Sequence, residues 1–227
     1  MLRCFGMLCC FVAFCQNLSA QDNATWQLML VEKKLSEKFT VGMEGHYRET
    51  GWFETFNQSI LRPYVVYKPI SFFGFSAGVS SLISGQILDG EKQTANEFNV
   101  WAELNMYHEI VGFKIRHRNR MEHRFMGNLT TDKYNFKHLD IGYRFRYRLD
   151  VSRWLGEKER WMVHVFNEYF FDWNDRFKKG SFDQNWLYLG LRRKVCEPFS
   201  VELAYLSQAN LGSYPIAIFQ ITAVLNF

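Results

Sequence analysis

KIRHRNRMEHR, residues 114–124, decides how the rest of the chain is read. At a period of two, Lys114, Arg116, Arg118, Arg120, Glu122 and Arg124 fall on one face. Phe113, Ile115, His117, Asn119, Met121, His123 and Phe125 fall on the other. A second row follows in IGYRFRYRL, residues 141–149, where Arg144, Arg146 and Arg148 alternate with Ile141, Tyr143, Phe145, Tyr147 and Leu149. Two strands with arginine on one side and aromatics on the other predict an all-β fold: an antiparallel transmembrane β-barrel with a charged lumen and an apolar outer wall.

Composition agrees with that reading. Hydrophobic residues make up 48% of the 227 residues and aromatics 18%, yet the mean hydropathy is −0.23. The apolar residues are therefore interleaved with polar ones, which favours strands. After the first 20 residues no apolar run approaches the roughly 18 needed for a membrane helix, so a spanning chain must cross as a barrel. The formal charge is +4, one less without the segment that carries Arg3. Basic residues set between aromatics also fit a nucleic-acid surface, but a secretory leader removes such partners, and no nucleic acid is expected.

That leader is residues 1–20: Arg3, an apolar core CFGMLCCFVAFC, and a small residue at Ala20, the expected cleavage point. Residues 21–227 then form one domain in the bacterial outer membrane. Cys4, Cys9, Cys10 and Cys15 lie in the leader, which leaves Cys196 without an internal disulfide partner and excludes metal chemistry built on cysteine. No metal or cofactor is expected. Asn23, Asn57 and Asn128 open short sequons of little weight.

Eleven segments follow. Strands are predicted over Trp26–Lys34, Phe39–Glu49, Phe56–Lys68, Gly74–Ile83, Ala95–His108, residues 113–125, Phe136–Leu149, Trp161–Phe171, Phe182–Arg193, residues 200–208 and Pro215–Phe227. Longer polar loops are expected over Ser84–Thr94, Gly127–Asn135 and Asp172–Ser181, with a charged link over Asp150–Arg160. Bacterial barrels normally have an even number of strands, so ten or twelve are expected. The first segment or the one bearing Pro63 is the doubtful member, since proline suits a bulge or strand end. In Ala95–His108, Glu97, Asn99, Trp101, Glu103 and Asn105 share the inner face, one short turn from the arginine row. Trp26, Trp52, Trp154, Trp161 and Trp173 are expected as interfacial girdles. The last segment, with alternating apolar residues up to Phe227, resembles the signal that barrel assembly machinery reads, which makes that machinery and outer-membrane lipid the expected partners.

HRNRMEHRF (117–125), YRFRYRL (143–149), NEYF (167–170) and FDQNWLYLGL (182–191) together resemble the domain of unknown function 2490 family, a set of uncharacterised outer-membrane barrels. The resemblance implies the fold and location, and no activity. Trp186 stands where members tend to carry arginine, so it implies one charge fewer in the interior.

The charged residues admit several readings. Arg48, Arg62, Arg116, Arg118, Arg120, Arg124, Arg144, Arg146 and Arg148 can pair with Glu44, Glu97, Glu103, Glu122, Asp140, Glu168 and Glu202 to plug the lumen, because guanidiniums bind carboxylates in bidentate fashion. The surplus of arginine would alternatively make a small anion-preferring pore. A lipid-modifying enzyme is a third reading, resting on His117, Asn119 and His123 on the outward face, where polar groups are unexpected. A soluble ligand-binding barrel would need the opposite alternation. His46, His108, His138 and His164 lack metal-ligand spacing and read as hydrogen-bonding groups of the lumen. No catalytic motif such as GxSxG or HExxH occurs.

Overall fold

The computed structural model describes residues 22–88, 91–127, 139–156, 158–174 and 177–227. The leader, the sequon at Asn128, His138 and most of the Gly127–Asn135 loop lie outside the described residues. The strands are β1 (Asp22–Lys34), β2 (Phe39–Thr50), β3 (Thr55–Ile70), β4 (Phe73–Leu88), β5 (Glu91–Ile110), β6 (Phe113–Gly127), β7 (Leu139–Leu155), β8 (Trp161–Asn174), β9 (Phe177–Cys196), β10 (Phe199–Asn210) and β11 (Ile216–Asn226). Each pairs with its sequence neighbour, and β1 closes on β11. No described helix is long and apolar enough to cross a membrane, so a crossing would be made by strands.

Among the described residues the strands number eleven, not ten or twelve, and both doubtful segments are strands. An up-and-down meander with an odd count returns its last strand pointing the same way as its first. The seam is accordingly parallel, from Asp22 opposite Ile216 to Glu32 opposite Asn226, while the other neighbours are antiparallel. Asp22 and Phe227 therefore lie at opposite ends of the barrel. Pro63 sits inside β3, with the register shifts of that strand elsewhere. It is tolerated because the ladder to β4 passes over Arg62 and Pro63, and because Gly78, having no Cβ, lets the Pro63 carbonyl approach.

Three expected loops or links are largely strand. β4 and β5 pair from Ser84–Ala95 out to Leu88–Glu91, β8 runs on to Asn174, and β7 runs on through Asp150 to Leu155. A tilted crossing needs roughly 9 to 11 residues, whereas β5 and β9 have 20 each. Beyond the hydrocarbon both faces of a strand meet water, so the apolar alternation lapses while the ladder's hydrogen bonds continue.

Within the crossing, alternation sets the sidedness. Val100 is 47% exposed and its neighbour Trp101 3%. Trp52 and Trp173 are exposed at one end and Trp161 at the other, as a girdle requires. Trp26 is no girdle residue: it is buried inside, edge-on to Trp186 at 5.3 Å between ring centres. Trp154, opposite buried Met162, shares the inward parity as well.

Candidate functional site in the lumen

The two arginine rows lie side by side, Arg118 opposite Arg148 and Arg120 opposite Arg146. Four like charges on adjacent strands need carboxylates from both flanks, and β5 and β8 supply them. Glu168 of β8 has a side chain with 0% exposure. It accepts from Arg118, from Arg146 Nε at 2.7 Å and from Arg148 Nη2 at 2.5 Å. Glu103 of β5 accepts from Arg120 Nε at 2.8 Å, and Glu122 of β6 from Arg146 Nη1 at 3.0 Å. These seven residues form one connected network across four strands.

Two further networks lie toward the ends. Arg124 grips Glu97 with two nitrogens at 2.6 and 2.9 Å and reaches Asp172 at 2.9 Å. Arg144 joins Asp172 at 2.5 Å to Asp183 at 3.2 Å. At the other end Arg116 donates to Asp150 at 3.0 Å, and His164 stands between Asp150 at 3.1 Å and Glu202 at 3.3 Å. Glu202 also accepts from Tyr188 and from Arg192 at 2.6 Å. Asp150, Asp172, Asp183 and Arg192 are lattice members beyond the predicted set. Asp150 and Asp172 continue the parities Arg144-Arg146-Arg148 and Phe166-Glu168-Phe170, a signal hidden by ending each strand one residue early. Asp140 lies exposed near the start of β7. With these additions and Glu32, ten arginines face ten carboxylates among the described residues, so the overall surplus of arginine is not present.

Arg48 departs from the expected pairing. Its Nη1 donates to Gln58 Oε1 at 2.8 Å, and its guanidinium lies over Trp26 at 3.8 Å and 5.8 Å from the Trp186 ring. Among the described residues no carboxylate lies within ion-pair distance of it. Glu44, on the same face of β2, is engaged by Arg62 at 2.6 Å and by His46 at 3.3 Å.

The remaining interior is apolar and stacked. Trp26, Phe166, Phe170, Trp186, Tyr188, Leu206 and Ile218 cluster on the β8 to β1 side. Guanidiniums lie on this wall, Arg148 at 3.9 Å from the Phe166 ring and Arg146 at 4.5 Å from Phe170. Between wall and lattice remains a cavity of about 700 Å³, lined by Arg48, Arg62, Trp101 and Arg120 among others.

The chain that forms this barrel, with its arginine rows turned inward, matches one family over residues 23–213, described as protein of unknown function (DUF2490). The chain belongs to the DUF2490 family. Among solved structures, the β domain of the Bordetella autotransporter BrkA aligns at a TM-score of 0.47 and 9% identity, covering 82% of each chain. No curated protein matches the chain.

In this DUF2490 barrel the outward polar residues meet aromatics. His117 Nδ1 lies 2.8 Å from Tyr147 Oη and its ring stacks on His108 at 5.2 Å. His123 stacks on Tyr143 at 4.6 Å. Asn119 lies between Leu104 and Tyr147 in the ladder. His108 thus belongs to the outer wall, whereas His46 and His164 are lumen groups. No cluster of three metal-ligating side chains occurs among the described residues, and Cys196 is exposed at a strand end.

Proposed function

We propose that the protein is a barrel of the bacterial outer membrane whose interior is a filled, charge-latticed lumen and which does not serve as a general diffusion pore. The observation that carries this reading is Glu168, fully enclosed and shared by three guanidiniums in the middle of the barrel. A carboxylate so placed ties the inner faces of the neighbouring strands β6, β7 and β8 together and gathers three long side chains inside the barrel.

The outward apolar band and its tryptophan girdles support the membrane location, with lipid as the surrounding partner. The apolar alternation of β11 through Ala217, Phe219, Ile221, Ala223 and Leu225 supports recognition by barrel assembly machinery. We assign the protein no reaction, and expect unchanged lipid A and phospholipid profiles on its deletion. Fractionation should place it in the outer membrane as a heat-modifiable band. In planar bilayers the folded protein should give no large steady conductance, and vesicles containing it should not swell in neutral sugars. Swelling at porin-like rates would overturn the reading.

A small anion-preferring pore is the second reading. It is favoured by the cavity lining, which extends from Glu32 and Tyr107 toward one end to Gln184 and Gln208 toward the other. Small unitary currents with an anion-selective reversal potential would establish it.

A further inference from the structure

We propose that the lumen contains a binding site for a small organic anion centred on Arg48, taking a carboxylate or phosphate monoester that carries one flat apolar group. The charges, though balanced overall, are unevenly placed. Among the described residues the network at the Asp183 end joins two arginines to three carboxylates, and the network at the Arg192 end joins two to two. The middle of the barrel differs. Arg118, Arg120, Arg146 and Arg148 share three carboxylates, Arg62 takes Glu44, and Arg48 has none. Six guanidiniums against four carboxylates leave two positive charges in the middle of the barrel.

Arg48 presents this surplus. Arg62 and Arg146 are close enough to repel it, and an unpaired charge in a partly desolvated interior is unfavourable until an anion arrives. The Trp26 ring under the guanidinium and the bond from Nη1 to Gln58 hold its plane, while Nε is buried without a partner, so donor capacity for a carboxylate or phosphate remains unused. A deeply buried donor on the same cavity also lacks a hydrogen-bond partner among the described residues: Trp101 Nε1, in a residue only 3% exposed, while Arg120 Nη1 has only a long ion-pair contact of 3.7 Å to Glu122. The cavity of about 700 Å³ lies within the range of small-molecule sites, roughly 300 to 1,000 Å³. Its surface near Arg48 is Trp26, Trp186, Leu28, Ile60 and Leu82, which calls for an apolar portion on the ligand. Inorganic phosphate alone would leave that surface bare.

The site does not depend on whether the lumen conducts, because binding and current are separate readouts. The test is calorimetric titration of the folded full-length barrel in detergent with phenyl phosphate, inorganic phosphate and benzyl alcohol. Phenyl phosphate should bind at one site and weaken with salt, inorganic phosphate should bind at least tenfold more weakly, and benzyl alcohol should not bind. Arg48→Gln should lower phenyl phosphate affinity at least tenfold, Arg48→Lys less, and the outer-wall Arg153→Gln should leave it unchanged. Arg48→Gln should also unfold at a temperature no lower than the parent, since it removes a charge without a carboxylate. Absence of saturable binding by heat-modifiable parent protein, equal binding by Arg48→Gln, or benzyl alcohol binding as tightly as phenyl phosphate would each overturn the proposal.

Discussion

Replacing Glu168 with glutamine isolates the electrostatic role of the lattice. The side chain keeps its volume and remains enclosed, so no cavity contributes. What changes is the charge that Arg118, Arg146 and Arg148 share, with bonds of 2.7 and 2.5 Å from the last two. An amide still accepts through its oxygen, but its NH2 group is turned toward at least one guanidinium. Removing one partner of a buried ion pair costs about 3 to 5 kcal/mol, which is roughly two to three and a half powers of ten in the folding equilibrium at about 1.4 kcal/mol per decade. The control is Glu197→Gln: Glu197 pairs with Lys194 with its side chain 77% exposed, and exposed pairs contribute about 0 to 1 kcal/mol. Urea unfolding of the full-length barrel in lipid vesicles, followed by tryptophan fluorescence and gel mobility, measures both variants. A midpoint shift for Glu168→Gln no larger than for Glu197→Gln would refute the view that the lattice holds the lumen together.

Other perturbations probe the wall, the packing and the orientation. Val100→Arg places a charge on the lipid-facing side of β5 and should cost about 2 to 4 kcal/mol near the midplane, read as lost folded band in vesicle refolding. Gly78→Ala brings a Cβ to 2.5 Å from the Pro63 carbonyl and 2.7 Å from the Trp101 ring. It should destabilise by about 1 to 3 kcal/mol through overpacking, whereas Gly45→Ala, with nothing within 4 Å, should unfold with the parent. No connection between strands exceeds five residues at the end where Cys196 and Phe227 lie, whereas β6 and β7 at the other end are separated by residues 128–138, and short turns mark the periplasmic end in barrels of this kind. A membrane-impermeant maleimide should therefore label Cys196 only after the outer membrane is permeabilised, and Tyr214→Cys in a Cys196→Ser background should label on intact cells.

Sidedness is a covalent property of an extended chain, because successive side chains leave opposite faces whatever the neighbours are. Residues 114–124 and 141–149 alone therefore determined that arginine points one way and aromatics the other, and with that the barrel and its charged interior. Strand ends were less legible. Asp150, Asp172 and the Ser84–Thr94 stretch keep their ladders where the apolar signal stops, since a strand outside the bilayer needs no apolar face. Partner choice was not local at all. Arg120 meets Glu103 17 residues away and Arg118 meets Glu168 50 residues away. Which carboxylate reaches which guanidinium follows from the register between strands, and a slip of one residue would turn each pair outward. The parallel seam likewise arises only when eleven strands close. So does the isolation of Arg48: its charge is plain in the sequence, but that Glu44 is taken by Arg62 and that Trp26 and Trp186 flank the guanidinium are decisions of the closed barrel.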